Sequence, residues 1–505
     1  MTAIFRRLAL ALLLSSAAIG SAAAQTNLRI GLAEDPDVLD PTLARTYVGR
    51  IVFASICDKL FDIDENLKIV PQLALSQETS ADGMTVTIKL RPGVKFHDGE
   101  AFDAVAAKYS LERHITMKGS YRRPDIGAVD SVEVTGPLTI VLHLKTPFSP
   151  LLAQLTDRAG MMVSPKAAES AGDKFGLHPV CAGPYKFVER VPQDRIVVEK
   201  FADYWDKDHV FIDKITYLPI VDGTVRLANL RSGGLDLIER VLATDIKTVR
   251  DNPKLKLSKA VSLGWNSILI NVAHGPKADN PLGKDARVRR AFELAVDREA
   301  LNQVVFNGEF VPGNQWVNPQ NFYYQQAFPI PKRDIAKAKV LLKEAGVTTP
   351  LSLDFMVPTG PENRAVAEVV QSMAAEAGFD LKIRLTEFAT SIKQAEDGEF
   401  QLYLFGWSGR SDPDGNSFIV QTCKAPLNFS HYCDPEVDAL HQEARRTSDP
   451  AARKAAYGKI AAKVLDGGDM LYLYHPQVLI AHTDRLDGYR PMPDGLVRVI
   501  GLKLK

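Results

Sequence analysis

The stretch GWSGRSDPDGNSF, from Gly406 to Phe418, puts a tryptophan, an arginine and two aspartates on one turn directly after the apolar run QLYLF. Such residue types could form a nucleophile, a calcium loop or a ligand-binding turn. The serine of GWSG lacks the second glycine of a G-x-S-x-G nucleophile elbow. A calcium loop that began at Asp412 would have Ser417 in place of its glycine and Cys423 in place of its last acid. The stretch therefore favours binding over catalysis.

Catalytic and phosphate-binding signatures are absent from the rest of the sequence. H-E-x-x-H does not occur, and the glycines of GPKADNPLGKD have the wrong spacing for a phosphate loop, with Asp285 where serine or threonine would hold magnesium. His97 and His475 lie beside predicted turns or strand ends, where a structural role is the commoner one. We predict that the protein is not an enzyme and uses no cofactor.

The four cysteines indicate disulfides. Cys423 and Cys433 flank KAPLNFSHY, and we predict that they form a local bridge, which would contribute about 2 to 3 kcal/mol by closing a short loop. Cys57 and Cys181 would then pair or stay free. The alternative is a zinc site in which Cys423, His431 and Cys433 are ligands, but a fourth ligand at normal spacing is missing. An oxidising compartment favours the disulfide.

The N-terminus has the pattern of an export signal. Arg6 and Arg7 precede the apolar run at 8–14, and small residues lead to a predicted cleavage after Ala24. A lipoprotein would need a cysteine at this point, but the first one is Cys57. No other apolar run approaches the roughly 20 residues of a spanning helix. We therefore expect a secreted mature chain without a membrane anchor.

Length and composition narrow the class further. At 505 residues the chain is long enough for about three domains, and 46% hydrophobic with 24% charged residues is typical of a globular protein. Lys plus Arg equals Asp plus Glu at 61 each. Removal of the signal leaves 59 basic residues against 61 acidic ones. The charge balance therefore gives no reason to expect nucleic acid as a partner.

Hydrophobic periodicity predicts where the elements lie. An opening strand begins at Leu28, and residues 65–190 read as a β-sheet decorated by helices. Buried strands near residues 214–272 are expected to join the opening strand. Further along, LSLDFMV, LKIRLTEF and QLYLFGW alternate with helical segments, which is a βαβαβ unit with a parallel sheet. The Gly406 turn then lies at the carboxyl end of a parallel strand, where open α/β sheets bind ligands.

Several motifs together resemble one family, the extracellular solute-binding proteins of family 5, of the dipeptide, oligopeptide and nickel type. LRPGVKFHDGEAFDAVAAKYSLER is similar to the family's signature, CAGPYKF to its G-x-G-P-Y segment, and FADYWD to its N-x-x-Y-W turn. INV followed by PLGKDARVRRAFELAVDREAL, and then DIAKAKVLLKEAG, resemble two further segments in the family's order. The likeness covers the chain from Leu28 to the C-terminus.

The resemblance implies an α/β clamshell of the periplasmic-binding-protein type, with two α/β lobes and an additional β-rich domain. After a signal peptide at 1–24, it predicts lobe I at 25–62, 191–275 and 483–505, the β-rich domain II at 63–190, and lobe III at 276–482. The hinge would lie near 275 and 482. Closure would be a hinge rotation that the ligand drives by binding the closed form more tightly.

The resemblance also implies partners and a place. The protein would act in the periplasm as a monomer, bind a small molecule or peptide, and deliver it to an ABC permease and ATPase complex in the inner membrane. Peptide is the first choice of ligand. A non-peptide anionic solute, such as an opine-like conjugate or a metal chelate, is the alternative within the same role. A periplasmic chaperone or sensor partner is an alternative of another class.

Arg410 departs from the family's pattern. Dipeptide-binding members carry an acid at the matching place for the peptide's ammonium, whereas an arginine would repel an ammonium and bind a carboxylate or phosphate. Val357 stands where such members have an arginine for the peptide's carboxylate. We therefore expect Arg410 to face an anionic group of the ligand. The alternative is that Arg410 pairs with Asp412 or Asp414 and braces the loop.

Four more residues are candidates for the ligand cavity. Trp407 and Asp412 share the loop with Arg410, Tyr47 follows the first strand, and Trp265 lies in LGWNSILINV. The aromatic side chains could stack on a ligand or could pack in the cores of their lobes. An oligopeptide held as an added strand would need neither terminal anchor.

Overall fold

A computed structural model describes residues 25–505. The predicted signal peptide at 1–24 lies outside the described residues. The strands are β1 (Asn27–Leu32), β2 (Phe61–Ile63), β3 (Ile69–Pro71), β4 (Ala74–Thr79), β5 (Thr85–Leu90), β6 (Val129–Gly136), β7 (Thr139–Leu144), β8 (Tyr185–Val191), β9 (Arg195–Lys200), β10 (Lys214–Pro219), β11 (Leu237–Ile238), β12 (Leu255–Val261), β13 (Trp265–Ile270), β14 (Val311–Pro312), β15 (Leu351–Pro358), β16 (Phe379–Thr386), β17 (Leu402–Trp407), β18 (Met470–His475), β19 (Gln477–Thr483), β20 (Leu486–Asp487) and β21 (Lys503–Leu504).

The helices fall mainly between these strands. They are α1 (Tyr47–Ile56), α2 (Ala104–Thr116), α3 (Arg123–Ile126), α4 (Leu151–Gln154), α5 (Pro165–Ala171), α6 (Gly223–Ser232), α7 (Ile246–Arg250), α8 (Pro281–Lys284), α9 (Ala286–Ala295), α10 (Arg298–Phe306), α11 (Ile335–Glu344), α12 (Pro361–Ala377), α13 (Phe388–Glu396), α14 (Asp414–Gln421), α15 (Pro435–Arg446) and α16 (Pro450–Val464).

The first lobe is built on a seven-stranded sheet of order β12-β19-β11-β1-β10-β9-β8. The opening strand β1 lies at its centre and runs parallel to β10 and β11. Leu28, Ile30 and Leu32 of β1 pack in one buried core with Val48 and Val52 of α1. Residues from the C-terminal segment, including β20, join the same core. The opening strand therefore anchors this lobe.

The other α/β lobe is built on a six-stranded sheet of order β14-β18-β13-β17-β15-β16. β15 pairs parallel with both β16 and β17, and α12 and α13 connect them in sequence. Phe355 and Leu404 from this sheet share a core with Val366 of α12 and Phe292 of α9. The predicted βαβαβ unit is confirmed.

A separate β-rich domain contains the four-stranded antiparallel sheet β4-β5-β7-β6. Val86 and Ile88 alternate inward on β5, Ile140 and Leu142 do so on β7, and Ala107 of α2 packs against them. Two α/β lobes with an added β-rich domain confirm the predicted fold class.

The chain crosses between the two large sheets twice. The first crossing, at residues 262–264, joins β12 to β13, and the second, at Pro476, joins β18 to β19. The resemblance to the family implied connections near 275 and 482. The observed positions differ because β13 pairs with β17 and β18, so the segment around Trp265 lies in the six-stranded sheet and not with the opening strand.

Aspartate side chains cap the N-termini of several helices. The carboxylate of Asp103 accepts from the Val105 amide at 2.9 Å, and Asp285, Asp297 and Asp334 cap α9, α10 and α11 in the same way. These bonds satisfy amides that have no partner inside the helix.

Both cysteine pairs are bridged. Cys423 and Cys433 lie at an S–S distance of 2.07 Å, and Cys57 and Cys181 at 2.00 Å. His431 stacks on the ring of His274, with centroids 3.6 Å apart. Among residues 25–505 no His, Cys, Asp and Glu group has the arrangement of a metal site. Within the same range, no helix has both the length and the apolar character of a membrane span.

Candidate functional site

A cavity of about 320 Å³ lies between the two large sheets and the β-rich domain. Its volume is in the range of small-molecule sites. Both crossings contribute to its wall, through Ser262 and Asn266 at one and Pro476 and Gln477 at the other. A cavity at the crossings is the place where a rotation of one lobe against the other would enclose or release a ligand. We call it the interlobe cavity.

Strand ends supply much of the wall. β1 leads directly into Ala33 and Glu34, β15 into residues 358–363, and β17 into residues 406–408. The carboxyl ends of parallel strands meet at one edge of a sheet, and side chains just beyond them face the crevice there. The βαβαβ pattern therefore places the Gly406 turn at the cavity.

Tyr47 contributes an aromatic wall at the start of α1. Its hydroxyl donates to the Gly495 carbonyl at 2.7 Å, and the guanidinium of Arg240 lies 4.9 Å from its ring centroid. Burial raises the pKa of this phenol. Tyr47 is therefore fixed as a neutral surface against which a ligand can pack.

One part of the cavity wall is acidic. Glu34 and Glu239 hold Arg240 between them, with carboxylate to guanidinium distances of 3.4 and 3.3 Å. Oε1 of Glu34 and Oε2 of Glu239 are buried and accept no hydrogen bond from residues 25–505. Burial raises the pKa of Glu34, and the nearby Arg240 opposes that change.

Glu362, in the first turn of α12, faces this acidic group from the other lobe. Burial raises its pKa to about 7, against the opposing influence of Arg240 and Arg226. Arg226 donates to three backbone carbonyls, those of Ile220, Val221 and Arg240. Carboxylates of both lobes thus converge on one side of the cavity.

Another part of the wall is rich in arginine. Next to it, but not in the cavity lining, is Asp157, with Arg50 Nε 3.1 Å and Arg410 Nε 2.7 Å from its carboxylate oxygens. Arg122 and Arg158 lie beside it and line the interlobe cavity. Burial opposes ionisation of Asp157, but the guanidinium groups of Arg410 and Arg50 hold its pKa well below the usual range.

The structure places Arg410 against the β-rich domain. Its side chain is 9% exposed, it pairs with Asp157, and Nη1 donates to the Gly409 carbonyl at 2.7 Å. It packs over the Trp407 ring at 4.7 Å and lines a small neighbouring void, while the interlobe cavity is lined by Trp407 and Ser408. The partner of Arg410 is thus neither Asp412 nor Asp414. Its contact with ligand stays a prediction.

The other predicted residues separate into two groups. Tyr47 and Trp407 line the interlobe cavity, and the indole N–H of Trp407 donates to the Gly415 carbonyl at 3.0 Å. Trp265 is fully buried, donates to the Asn416 carbonyl at 3.2 Å, and is not part of the cavity wall.

The carboxylate of Asp412 is hydrogen-bonded away from the cavity. It accepts two hydrogen bonds from Arg453 of α16, at 2.6 and 2.8 Å, and it also lies outside the cavity wall. The structure therefore brings together Tyr47 and Trp407, while Trp265 and Asp412 hold the surrounding fold.

Sequence reasoning missed most of the charged wall. Glu34 lies in the acidic loop after the first strand and Glu362 follows the strand LSLDFMVP, so their positions at strand ends were a usable signal. No sequence signal pointed to Arg122 and Arg158, because only tertiary packing of the β-rich domain brings them to the cavity.

Comparisons with known proteins agree with this architecture. The family model described as "Bacterial extracellular solute-binding proteins, family 5 Middle" matches residues 68–427. A glutathione-binding protein GsiB from Pectobacterium atrosepticum is 32% identical over 475 residues, which is 91% of this chain and 90% of that protein. A GsiB from Salmonella paratyphi A is 31% identical over 95% of both chains.

Solved structures show the same fold. The binding protein AgaA from A. tumefaciens R10, in complex with agropinic acid, is 26% identical with a TM-score of 0.85, covering 95% of this chain and 99% of its own. A dipeptide-binding protein from a Pseudoalteromonas species, in complex with Met-Leu, is 21% identical with a TM-score of 0.88, covering 95% of this chain and 100% of its own.

Proposed function

This chain belongs to the bacterial extracellular solute-binding proteins of family 5, and we propose that it captures a peptide or peptide-like solute in the interlobe cavity and delivers it to an ABC permease and its ATPase in the inner membrane. The signal predicted at 1–24 would direct the chain to the periplasm. The two lobes would open and close about the crossings at 262–264 and Pro476.

The observation that carries this proposal is the composition of the cavity wall. Glu34, Glu239 and Glu362 provide carboxylates on one part of it, and Arg122 and Arg158 provide guanidinium groups on another. A short peptide carries an ammonium group, a carboxylate and an apolar body. A wall with acids, arginines and aromatic rings offers a complementary surface for all three.

The size of the cavity favours a small ligand. About 320 Å³ lies at the lower end of the usual range for small-molecule sites. An extended oligopeptide would need a longer channel with free backbone groups along it. The glutathione-binding relatives support a short, peptide-like solute, since glutathione is a modified tripeptide.

A second candidate is a non-peptide anionic solute. The arginine-rich part of the wall favours it, because arginine suits the planar geometry of carboxylates. The likeness to AgaA in complex with agropinic acid supports the same possibility. In both candidate functions the protein captures a solute for transport. They differ in whether that solute carries an ammonium group.

Native mass spectrometry of protein purified from periplasm without denaturation tests the proposal. A closed solute-binding protein retains its ligand through gentle purification, so we expect an added mass that collisional activation releases. One small peptide or peptide conjugate supports the proposal. A compound without amide bonds would replace it with the second candidate, and a wide ladder of long peptides would contradict the small-ligand assignment.

A further inference from the structure

We propose that Arg445 is a positioning residue that holds the β-rich domain against the second α/β lobe, the one built on the six-stranded sheet, and that this contact slows the departure of the captured solute. The inference rests on the proposed function in one respect, namely that a solute is held in the interlobe cavity. We call the contacts of Arg445 with Pro124, Phe148 and Ser149 the Arg445 clamp.

Arg445 lies near the end of α15 and reaches the β-rich domain. Its guanidinium carbon lies 4.7 Å from the ring centroid of Phe148, and Nη2 donates to the Pro124 carbonyl at 3.3 Å. The Ser149 amide donates to the main-chain carbonyl of Arg445 at 2.8 Å. One residue of the second α/β lobe therefore makes three contacts with another domain, and all three must break when the two separate.

The second α/β lobe itself positions the guanidinium for these contacts. Nε of Arg445 lies 3.0 Å from Oδ1 of Asp414, which is 1% exposed, and the guanidinium carbon lies 3.5 Å from the ring centroid of Phe418. Asp414 and Phe418 both belong to α14. Since the ion pair and the ring contact lie within one lobe, they can orient Arg445 before the cleft closes.

The chemistry of the Arg445 clamp suits a contact that forms and breaks. The groups that Arg445 meets in the β-rich domain are an aromatic ring, a backbone carbonyl and a backbone amide, none of which is charged. A guanidinium that keeps its own acid can dock on such a surface without leaving a buried charge unpaired. The face of an aromatic ring also attracts a guanidinium, more strongly where water is excluded. The side chain of Arg445 is only 11% exposed in the docked arrangement.

Helix α14 connects the Arg445 clamp with the interlobe cavity. Phe418 contacts Arg445, while the next residue, Ile419, lines the cavity. Trp407 lines the cavity too, and its indole N–H donates to the Gly415 carbonyl in the first turn of α14. A solute that packs against Ile419 and Trp407 therefore holds the helix that orients Arg445. Solute and clamp then favour the same closed arrangement.

The test measures solute release and the exposure of the contact. Mature protein is purified from periplasm with its retained solute, and native mass spectrometry follows the loss of the solute mass after dilution into solute-free buffer. Hydrogen–deuterium exchange of the peptide that contains Ser149 reports the contact itself, because the Ser149 amide bonds to Arg445 across the two domains. If Arg445 served only the fold of its own lobe, its substitution would leave exchange at Ser149 unchanged.

Variants on both sides of the contact locate the effect. Arg445→Gln should shorten solute retention at least fivefold and speed exchange at Ser149. Arg445→Lys keeps the charge but lacks the planar group, so it should restore part of the retention. Phe148→Leu removes the ring from the β-rich domain and should act in the same direction as Arg445→Gln. Arg446→Gln is the matched control, because Arg446 is the next residue on α15 and is exposed.

The outcomes separate the clamp from the proposed function. Unchanged retention and exchange in folded Arg445→Gln, or an equal effect of Arg446→Gln, overturn the clamp and leave solute capture standing. If Arg445→Gln does not fold, Phe148→Leu decides, since it keeps the pair of Arg445 with Asp414, and unchanged retention and exchange in that variant overturn the clamp. Protein that retains no solute contradicts the proposed function. Equal exchange at Ser149 in ligand-free Phe148→Leu and unmodified protein then overturns the clamp as well.

Discussion

The sequence shows that residue 410 is an arginine but does not show which acid its side chain contacts. Its place after β17 predicts a charged group that faces the ligand, whereas the structure places its side chain against Asp157 and a small void beside the interlobe cavity. Its partner, Asp157, belongs to a segment more than two hundred residues earlier in the chain, and no local pattern connects the two. The sequence therefore predicted the neighbourhood of the cavity through Tyr47 and Trp407, but not the charge pairing around it.

Asp157 gives the first residue-level prediction. Asp157→Asn should lower the free energy of unfolding by about 3 to 5 kcal/mol, because it leaves several buried arginines without their shared acid. Arg410→Ala should cost less, since Arg50 remains on Asp157 at 3.1 Å. Urea denaturation midpoints provide the measurement.

Asp203→Asn is the control for this substitution. Asp203 pairs with Lys95 at 2.9 Å, with both side chains at least half exposed, so its loss should change the denaturation midpoint little. Equal destabilisation by Asp157→Asn and Asp203→Asn would show that the arginine cluster does not depend on its central acid.

At the scale of elements, the sequence predicts features that depend on a few neighbouring residues, and it does not predict which strands pair. Asp103, Asp285, Asp297 and Asp334 cap helices, a feature that can be read from the sequence because a cap depends on a few consecutive residues. β13 was recognised as a strand but assigned to the other sheet. Its apolar pattern marks a buried strand and contains nothing about which strands it pairs with.

The start of α12 gives a prediction of pH dependence. Burial raises the pKa of Glu362 to about 7, against 4.5 for an ordinary glutamate. An arrangement that buries Glu362 therefore holds more protons between these values than an open, hydrated one, so its advantage is present at low pH and is lost as the pH rises through about 7. Glu34, whose pKa is also raised, adds to the same trend.

Small-angle X-ray scattering of ligand-free protein at pH 5 and pH 8 measures this effect. We expect a larger radius of gyration at pH 8 and a smaller change in Glu362→Gln. Glu368→Gln is the control on the same helix, since Glu368 is 54% exposed and pairs with Arg364 at the surface. An identical pH response in Glu362→Gln and the unmodified protein would show that Glu362 does not cause the pH-dependent opening.

At the scale of the whole molecule, the lobes meet through specific contacts as well as through the two crossings. Arg45 after β1 pairs with Glu396 of α13, and Arg410 pairs with Asp157. The Ser149 amide donates to the Arg445 carbonyl at 2.8 Å. These contacts join the second α/β lobe to the rest of the molecule, and opening of the cleft would break them. The resemblance to a family predicted this arrangement of two α/β lobes and a β-rich domain, whereas hydrophobic periodicity alone predicted only individual strands and helices.

The most direct test of the central claim is a crystal structure of the protein purified from periplasm with its retained ligand. We expect closed lobes and a small solute in the interlobe cavity, with a carboxylate against Arg122 and Arg158 and any ammonium near Glu34. Ligand density outside this cavity, or a bound solute whose only contacts are with other walls, would contradict it.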